Sequence, residues 1–200
     1  LFFFFLEIVL LIQEKLINVK RQISQRITTQ RLTQYISWMV INLISSPRNI
    51  STALMYSFAQ REDTKVVDEP FYAYYLVKSG VDHPGREEII QHMPSKIDEI
   101  IDQVKILEKK HKYVFLKNMA HHLIEINRDF LLHYKNIFLI RDPRELIHSF
   151  AKVIPKPNMS DIGCRQQFEL FKFLNGYHDC PVIDSNSVLE DPEYGLKKLC

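Results

Sequence analysis

The chain has 200 residues, 46% of them hydrophobic and 25% charged, enough for one globular domain with a sizeable core. The net charge of +2 is uneven: residues 1–38 carry five basic and two acidic side chains (+3), which leaves −1 for the rest. A near-neutral body excludes binding to long nucleic acid. Three cysteines (Cys164, Cys180 and Cys200) without metal-like spacing point to reduced thiols and a cytoplasmic setting, not a disulfide framework.

Residues 1–12 (LFFFFLEIVLLI) form an apolar run broken by Glu7. A membrane-spanning helix needs about 20 apolar residues, so no stable membrane insertion is expected. Basic residues follow this run instead of preceding it, unlike a secretory signal. Residues 1–38 read as an extension outside the functional domain. A membrane-surface anchor and an amphipathic segment packed on the domain stay open as alternatives. The domain itself is expected over 39–200, starting at Met39.

From there strands and helices alternate. Residues 40–44 (VINLI) predict a strand, 45–49 a turn, and 51–61 a helix with Leu54, Met55 and Phe58 on its core side. A short strand at 65–67 ends in Asp68-Glu69-Pro70, and 71–78 reads as helix. A loop with Gly, Asp and Pro covers 80–85. Helices are expected at 86–93 and 95–110, the second with Ile97, Ile100, Ile101, Val104 and Leu107 on one face. Then come a strand at 113–116, a helical stretch over 121–134, a strand at 136–140, and a helix at 143–153 with Pro at its start. A helix at 165–177, a strand at 181–184 and a last helix opened by Asp191-Pro192 complete the order. Nothing closes that last helix, and the domain is read as continuing past Cys200. Uninterrupted apolar strands alternating with helices predict an α/β three-layer domain: a parallel sheet of about five strands covered on both faces.

Ligands of such sheets bind beyond the C-terminal strand ends, where the chemically informative residues lie. The segment 45–53, SSPRNISTA, joins the first strand to the first helix. Backbone N–H groups and a helix N-terminus there suit a phosphate. Ser51 and Thr52 add hydroxyls, and Arg48 adds a fixed positive charge. Plain helix capping by Ser51 or Thr52 is the alternative. The pattern G-x-x-x-x-G-K-[ST] is absent, which disfavours Mg²⁺-assisted phosphoryl transfer. The second segment, 141–149 (RDPRELIHS), follows the fourth strand. Arg141 and Ser149 could clasp one phosphate from two sides, unless Arg141 is spent on an ion pair with Asp142 or Glu145.

Together these two segments resemble those of PAPS-dependent sulfotransferases. The similarity runs from about Met39 to Cys200, nearest to sulfotransferase-like P-loop proteins whose first loop reads P-R-S-x-S-T-A. Pro47, Arg48, Ser51 and Thr52 match the first-loop motif. Arg141, Pro143, Arg144 and Ser149 match the second, R-x-P-R/K followed by Ser. The resemblance implies a P-loop-type fold and sulfuryl transfer from PAPS to a small-molecule acceptor, with no metal required. It also implies nucleotide contacts from Arg48, Asn49, Ile50, Ser51, Thr52, Ala53, Arg141 and Ser149. Ile50 stands where many members have Gly, and the Arg/Lys-Lys-Gly element that closes over the nucleotide in many members is not visible.

Sulfuryl transfer needs a base for the acceptor proton and cations for the leaving phosphate. Arg48 is the candidate cation, and Lys117, similar to the Lys of the family's K-T-H segment, is its candidate assistant. Glu69 is the first candidate base and His121 the next, with His122 beside it. Glu69 could instead cap the following helix, and the histidines could simply line a helix surface. Two further readings remain open: a nucleotide-binding module without catalysis, and a kinase-like phosphotransferase.

Overall fold

The computed structural model describes residues 40–152 and 159–199. The expectations for residues 1–38, for Met39 as the start and for the helix end at Val153 lie outside the described residues. Five strands form one parallel sheet in the order β2-β3-β1-β4-β5. They are β1 (Val40–Ser45), β2 (Thr64–Asp68), β3 (Tyr113–Met119), β4 (Lys135–Ile140) and β5 (Val182–Asp184). The helices are α1 (Ser51–Ala59), α2 (Tyr72–Ser79), α3 (Arg86–His92), α4 (Ile97–Glu108), α5 (Pro143–Ala151), α6 (Met159–Ile162), α7 (Cys164–Asn175), α8 (Ser185–Glu190) and α9 (Pro192–Leu199).

Alternation along each strand divides the core in two. Leu43, Phe115, Ile137 and Leu139 pack with Leu54, Met55 and Phe58 of α1 and Val188 of α8. Val40, Ile44, Val114, Leu116 and Phe138 meet Tyr74 of α2, Ile100 and Val104 of α4, and Leu170 and Leu174 of α7 on the other face. Both faces are therefore covered, as the uninterrupted apolar strands require. One polar feature crosses the second face. Asn42 Nδ2 donates to Asn136 Oδ1 (2.8 Å), and Asn118 Nδ2 donates to Asn42 Oδ1 (2.7 Å). Asn136 Nδ2 in turn donates to the carbonyls of Leu131 and Tyr134. Buried amides must be paired, so this ladder holds the registers of β3, β1 and β4.

Three expectations need correction. The stretch 121–134 is not one helix: short 3₁₀ turns occupy Ala120–His122 and Asp129–His133. Between them Glu125 adopts φ 47° and Asn127 Oδ1 accepts the Asp129 N–H (2.9 Å), a local bond that competes with helix. The strand expected at 113–116 runs three residues further, carrying Lys117 and Asn118 inside the sheet. The chain between β5 and α9 forms another helix, α8, capped by Asp184 Oδ1 on the Asn186 N–H (2.7 Å). Four residues, Met159–Ile162, form α6, which periodicity is too short to reveal.

Candidate functional site

Because every strand is parallel, the β1–α1, β2–α2, β3 and β4–α5 connections leave the same edge of the sheet. The first of these places Arg48 at φ 58°, a left-handed conformation unusual for a residue with a Cβ. Ile50 keeps an ordinary φ of −74°, so the loop makes its turn at Arg48 and needs no Gly at position 50. Ile50 is the N-cap of α1 and no side chain caps the helix. Neither Ser51 nor Thr52 does so, and the first-turn N–H groups are left without a side-chain partner. Ser51 is buried, whereas Thr52 and Ala53 face solvent.

The β4–α5 connection meets this loop directly. Arg141 Nη1 donates to the Arg48 carbonyl (2.9 Å), and Arg48 Nε donates to Ser149 Oγ (3.2 Å). Asn49 Nδ2 donates to the carbonyl of Leu139 at the tip of β4 (3.1 Å). Arg141 also pairs with Glu145 at 3.3 Å, while its side chain remains 25% exposed. Arg144 behaves differently: its side chain is 90% exposed and pairs with Asp142 (2.7 Å). Asp142 caps α5 by accepting the Arg144 N–H (2.8 Å). Its carboxyl is held down at about 2 by the Arg144 side chain and backbone. Two guanidinium groups, a hydroxyl and an open helix N-terminus thus converge, as an anion site requires.

The β2 and β3 tips carry the second cluster. Lys117 faces the α1 side and is 3% exposed. Its Nζ donates to Asp68 Oδ1 (2.6 Å) and Glu69 Oε1 (2.7 Å). Burial works against the ammonium, but the two carboxylate hydrogen bonds outweigh it and raise the Lys117 pKa. Lys117 Nζ is therefore paired with both Asp68 and Glu69. Glu69 does not cap α2, whose N-cap is Phe71 without a side-chain bond. It adopts φ 44°, fixed by its own N–H donating to the Lys117 carbonyl (2.8 Å). Of the three non-glycine residues with positive φ among those described, Arg48 and Glu69 fall at this edge. Strain of this kind concentrates at functional positions.

His122 lies 3.8 Å from Glu69 Oε2 through Nδ1. Its ring stacks on Tyr72 (4.8 Å) and Tyr75 (4.9 Å), and the His121 ring meets it edge-on at 4.4 Å. Burial pushes the His121 pKa down to about 4, against a smaller opposing effect of Asp161. Burial lowers His122 well below the ordinary range too, reinforced by His121, Lys117 and His83. Both imidazoles are neutral near pH 7. The Tyr72 hydroxyl is pushed up to about 12 by burial and the Glu69 charge. The histidines line no exposed helix surface; they pack on each other and on Tyr72 and Tyr75, with His122 next to Glu69.

One residue of this edge escaped sequence reasoning. Gln167 of α7 is buried beneath the first loop and reaches three groups there. Its signal was a glutamine on the same helical face as Leu170 and Leu174, where an apolar side chain is expected. A cavity of about 620 Å³ lies elsewhere, among β1, β4, β5, α8 and α9, lined by Ile41, Ile137, Val182, Tyr194 and Leu199. None of the candidate site residues lines it. Among the described residues, no group of three or more His, Cys, Asp and Glu side chains could hold a metal ion. No described helix is long and apolar enough to cross a membrane.

Residues 39–200 match the family model described as a sulfotransferase domain. Two curated Arabidopsis thaliana proteins are similar over 163 residues: branched-chain-amino-acid aminotransferase-like protein 1 at 36% identity and protein 2 at 34%. The match covers 80% of this chain and 29% of each relative, so the chain spans under a third of their length. Among solved structures, shikimate kinase from Bacteroides thetaiotaomicron aligns at 13% identity and a TM-score of 0.45, over 81% of this chain and 94% of that one. HypB from Helicobacter pylori, in complex with nickel, aligns at 16% identity and a TM-score of 0.36, over 88% and 93%.

Proposed function

The chain belongs to the sulfotransferase-domain family, and from that premise we propose that it transfers a sulfuryl group from PAPS to a hydroxyl or amine of a small acceptor. The observation that carries this reading is the meeting of the two anion-binding segments, Arg141 on the Arg48 carbonyl and Arg48 on Ser149. Phosphates at both ends of one adenosine need donors from two connections that open onto one cleft. Arg48, Asn49, Ile50, Ser51, Thr52 and Ala53 supply the loop and helix N-terminus for the 5′-phosphosulfate. Arg141 and Ser149 take the 3′-phosphate. Arg48 sits between the two and changes its Ser149 bond for phosphate oxygens when the donor enters.

In the transfer, the acceptor oxygen or nitrogen forms a bond to sulfur while the bond from sulfur to the 5′-phosphate oxygen breaks. The acceptor proton passes to Glu69, whose Oε1 is anchored by Lys117. Arg48 and the α1 N–H groups take up the charge on the departing phosphate. Neutral His121 and His122 back the carboxylate, and His121 is the alternative base. Lys117 acts here by fixing Glu69. No step calls for a metal. The setting proposed is cytoplasmic and the functional domain is residues 39–200.

The test compares thermal shifts for 3′,5′-bisphosphoadenosine, AMP and ATP. At 100 Kd of ligand the gain is about 2.7 kcal/mol, or roughly 5–11 °C for a domain of this size. The 3′-phosphorylated ligand is expected to shift the midpoint most, and Arg141→Ala to abolish its advantage. Equal shifts for all three would refute donor binding. Binding without turnover across an acceptor panel would leave a nucleotide-binding module and remove the enzyme.

A further inference from the structure

Gln167 joins three points that no other described side chain joins. Its Nε2 donates to the Ile44 carbonyl on β1 (3.0 Å) and to the Leu139 carbonyl on β4 (2.8 Å). Its Oε1 accepts from Ser46 Oγ in the first loop (3.0 Å). The β1–β4 ladder ends at the Ser45–Leu139 pair, so the amide bridges the two strands where they part. From these two tips the loop of Arg48 and the segment of Arg141 depart. Leu139 also accepts from Asn49 Nδ2, which ties the loop to the same carbonyl from above.

The position costs the helix an apolar contact. Gln167, Leu170 and Leu174 occupy one buried face of α7, and a leucine in place of the amide would take a donor from each of two carbonyls and an acceptor from the Ser46 hydroxyl under the loop. All three heavy-atom distances lie in the range of good hydrogen bonds. The side chain has few rotamers that satisfy them together, so it fixes geometry as well as contributing stability.

We propose that Gln167 is a positioning residue for donor binding, an internal strut that sets the separation of the two anion-binding segments and holds the first loop in its binding shape. This rests on the donor reading above. The residue touches neither donor nor acceptor. It acts through Ser46 and through the carbonyls of Ile44 and Leu139. Phosphate at one segment and phosphosulfate at the other tolerate little change in spacing, because hydrogen bonds weaken steeply with distance and angle.

The experiment uses the full chain with Gln167→Met, Ser46→Ala and the double variant. Gln167→Met keeps the length of the side chain and removes its amide. Ser46→Ala removes the loop bond to Gln167 and the longer contact with Cys164 Sγ (3.9 Å), and leaves the amide's two carbonyl bonds in place. Amide hydrogen exchange is measured without ligand, and affinity for 3′,5′-bisphosphoadenosine by calorimetry. Each single variant is expected to speed exchange at Ser46 and 48–51 and to weaken the bisphosphate about tenfold. The double variant should match Gln167→Met alone, since Gln167→Met already removes the bond to Ser46. Loop exchange unchanged in both single variants overturns the strut. Uniform acceleration across β1 and β4 overturns it as well, because that marks ordinary core packing. If wild-type protein fails to bind the bisphosphate, the donor reading falls, while the exchange result still decides the strut.

Discussion

Lowering the pH from 7 to 4.5 should destabilise this domain through its histidine pair. His121 has an ordinary pKa near 6.5 when unfolded and about 4 when folded, because the folded chain buries it. A histidine with a depressed folded pKa lets the unfolded chain bind the proton first. Its stabilising effect is complete above 6.5 and is lost as the pH falls towards 4. Each pH unit inside that window removes roughly 1.4 kcal/mol, so His121 alone accounts for about 3 kcal/mol. His122 moves in the same direction. Against a usual domain stability of about 5–15 kcal/mol, the loss is large. Urea unfolding midpoints at half-unit pH steps measure it. Other carboxylates titrate nearby, so the comparison is with His121→Asn, whose profile should be flatter by about 3 kcal/mol between pH 6.5 and 4. Parallel profiles for wild type and variant would refute the buried, neutral imidazole and, with it, the alternative base.

The Lys117 cluster should respond asymmetrically. The ammonium is buried, whereas Asp68 and Glu69 are 50% and 22% exposed, so Lys117→Met leaves carboxylates that can rehydrate. The double change Asp68→Asn and Glu69→Gln strands a buried ammonium and should cost about 3–5 kcal/mol in urea unfolding; equal losses would contradict this. Glu69→Gln alone should lower turnover by about 10²–10⁴-fold at little change in bisphosphate affinity, and full activity would eliminate Glu69 as the base. Gly163, at φ 64°, has His121 Nδ1 3.1 Å from where a Cβ would sit. Gly163→Ala should therefore cost about 1–2 kcal/mol and shift the His121 imidazole resonances; a neutral effect on both would show that the α6–α7 turn is free to move.

The sequence carried the layer order, because its apolar runs and helical stripes are local patterns. Those patterns located every described strand and the two strand-end segments that carry Arg48, Arg141 and Ser149. Local pattern also misled where side chain and backbone compete, as at Asn127, where an apparent helix became two 3₁₀ turns. What no local pattern could reveal is which groups meet. That Lys117 meets Asp68 and Glu69 was decided when β2 and β3 paired in register and set Asp68 opposite it. Gln167 looked like any helical glutamine until α7 crossed the tips of β1 and β4. Ion pairs and amide bridges depend on residues far apart in the chain arriving within about 3 Å, and only packing in three dimensions decides that. The chain order supplied the chemistry available at the edge of the sheet; the tertiary structure chose the partners of Lys117 and Gln167, because a buried polar group is costly to leave unpaired.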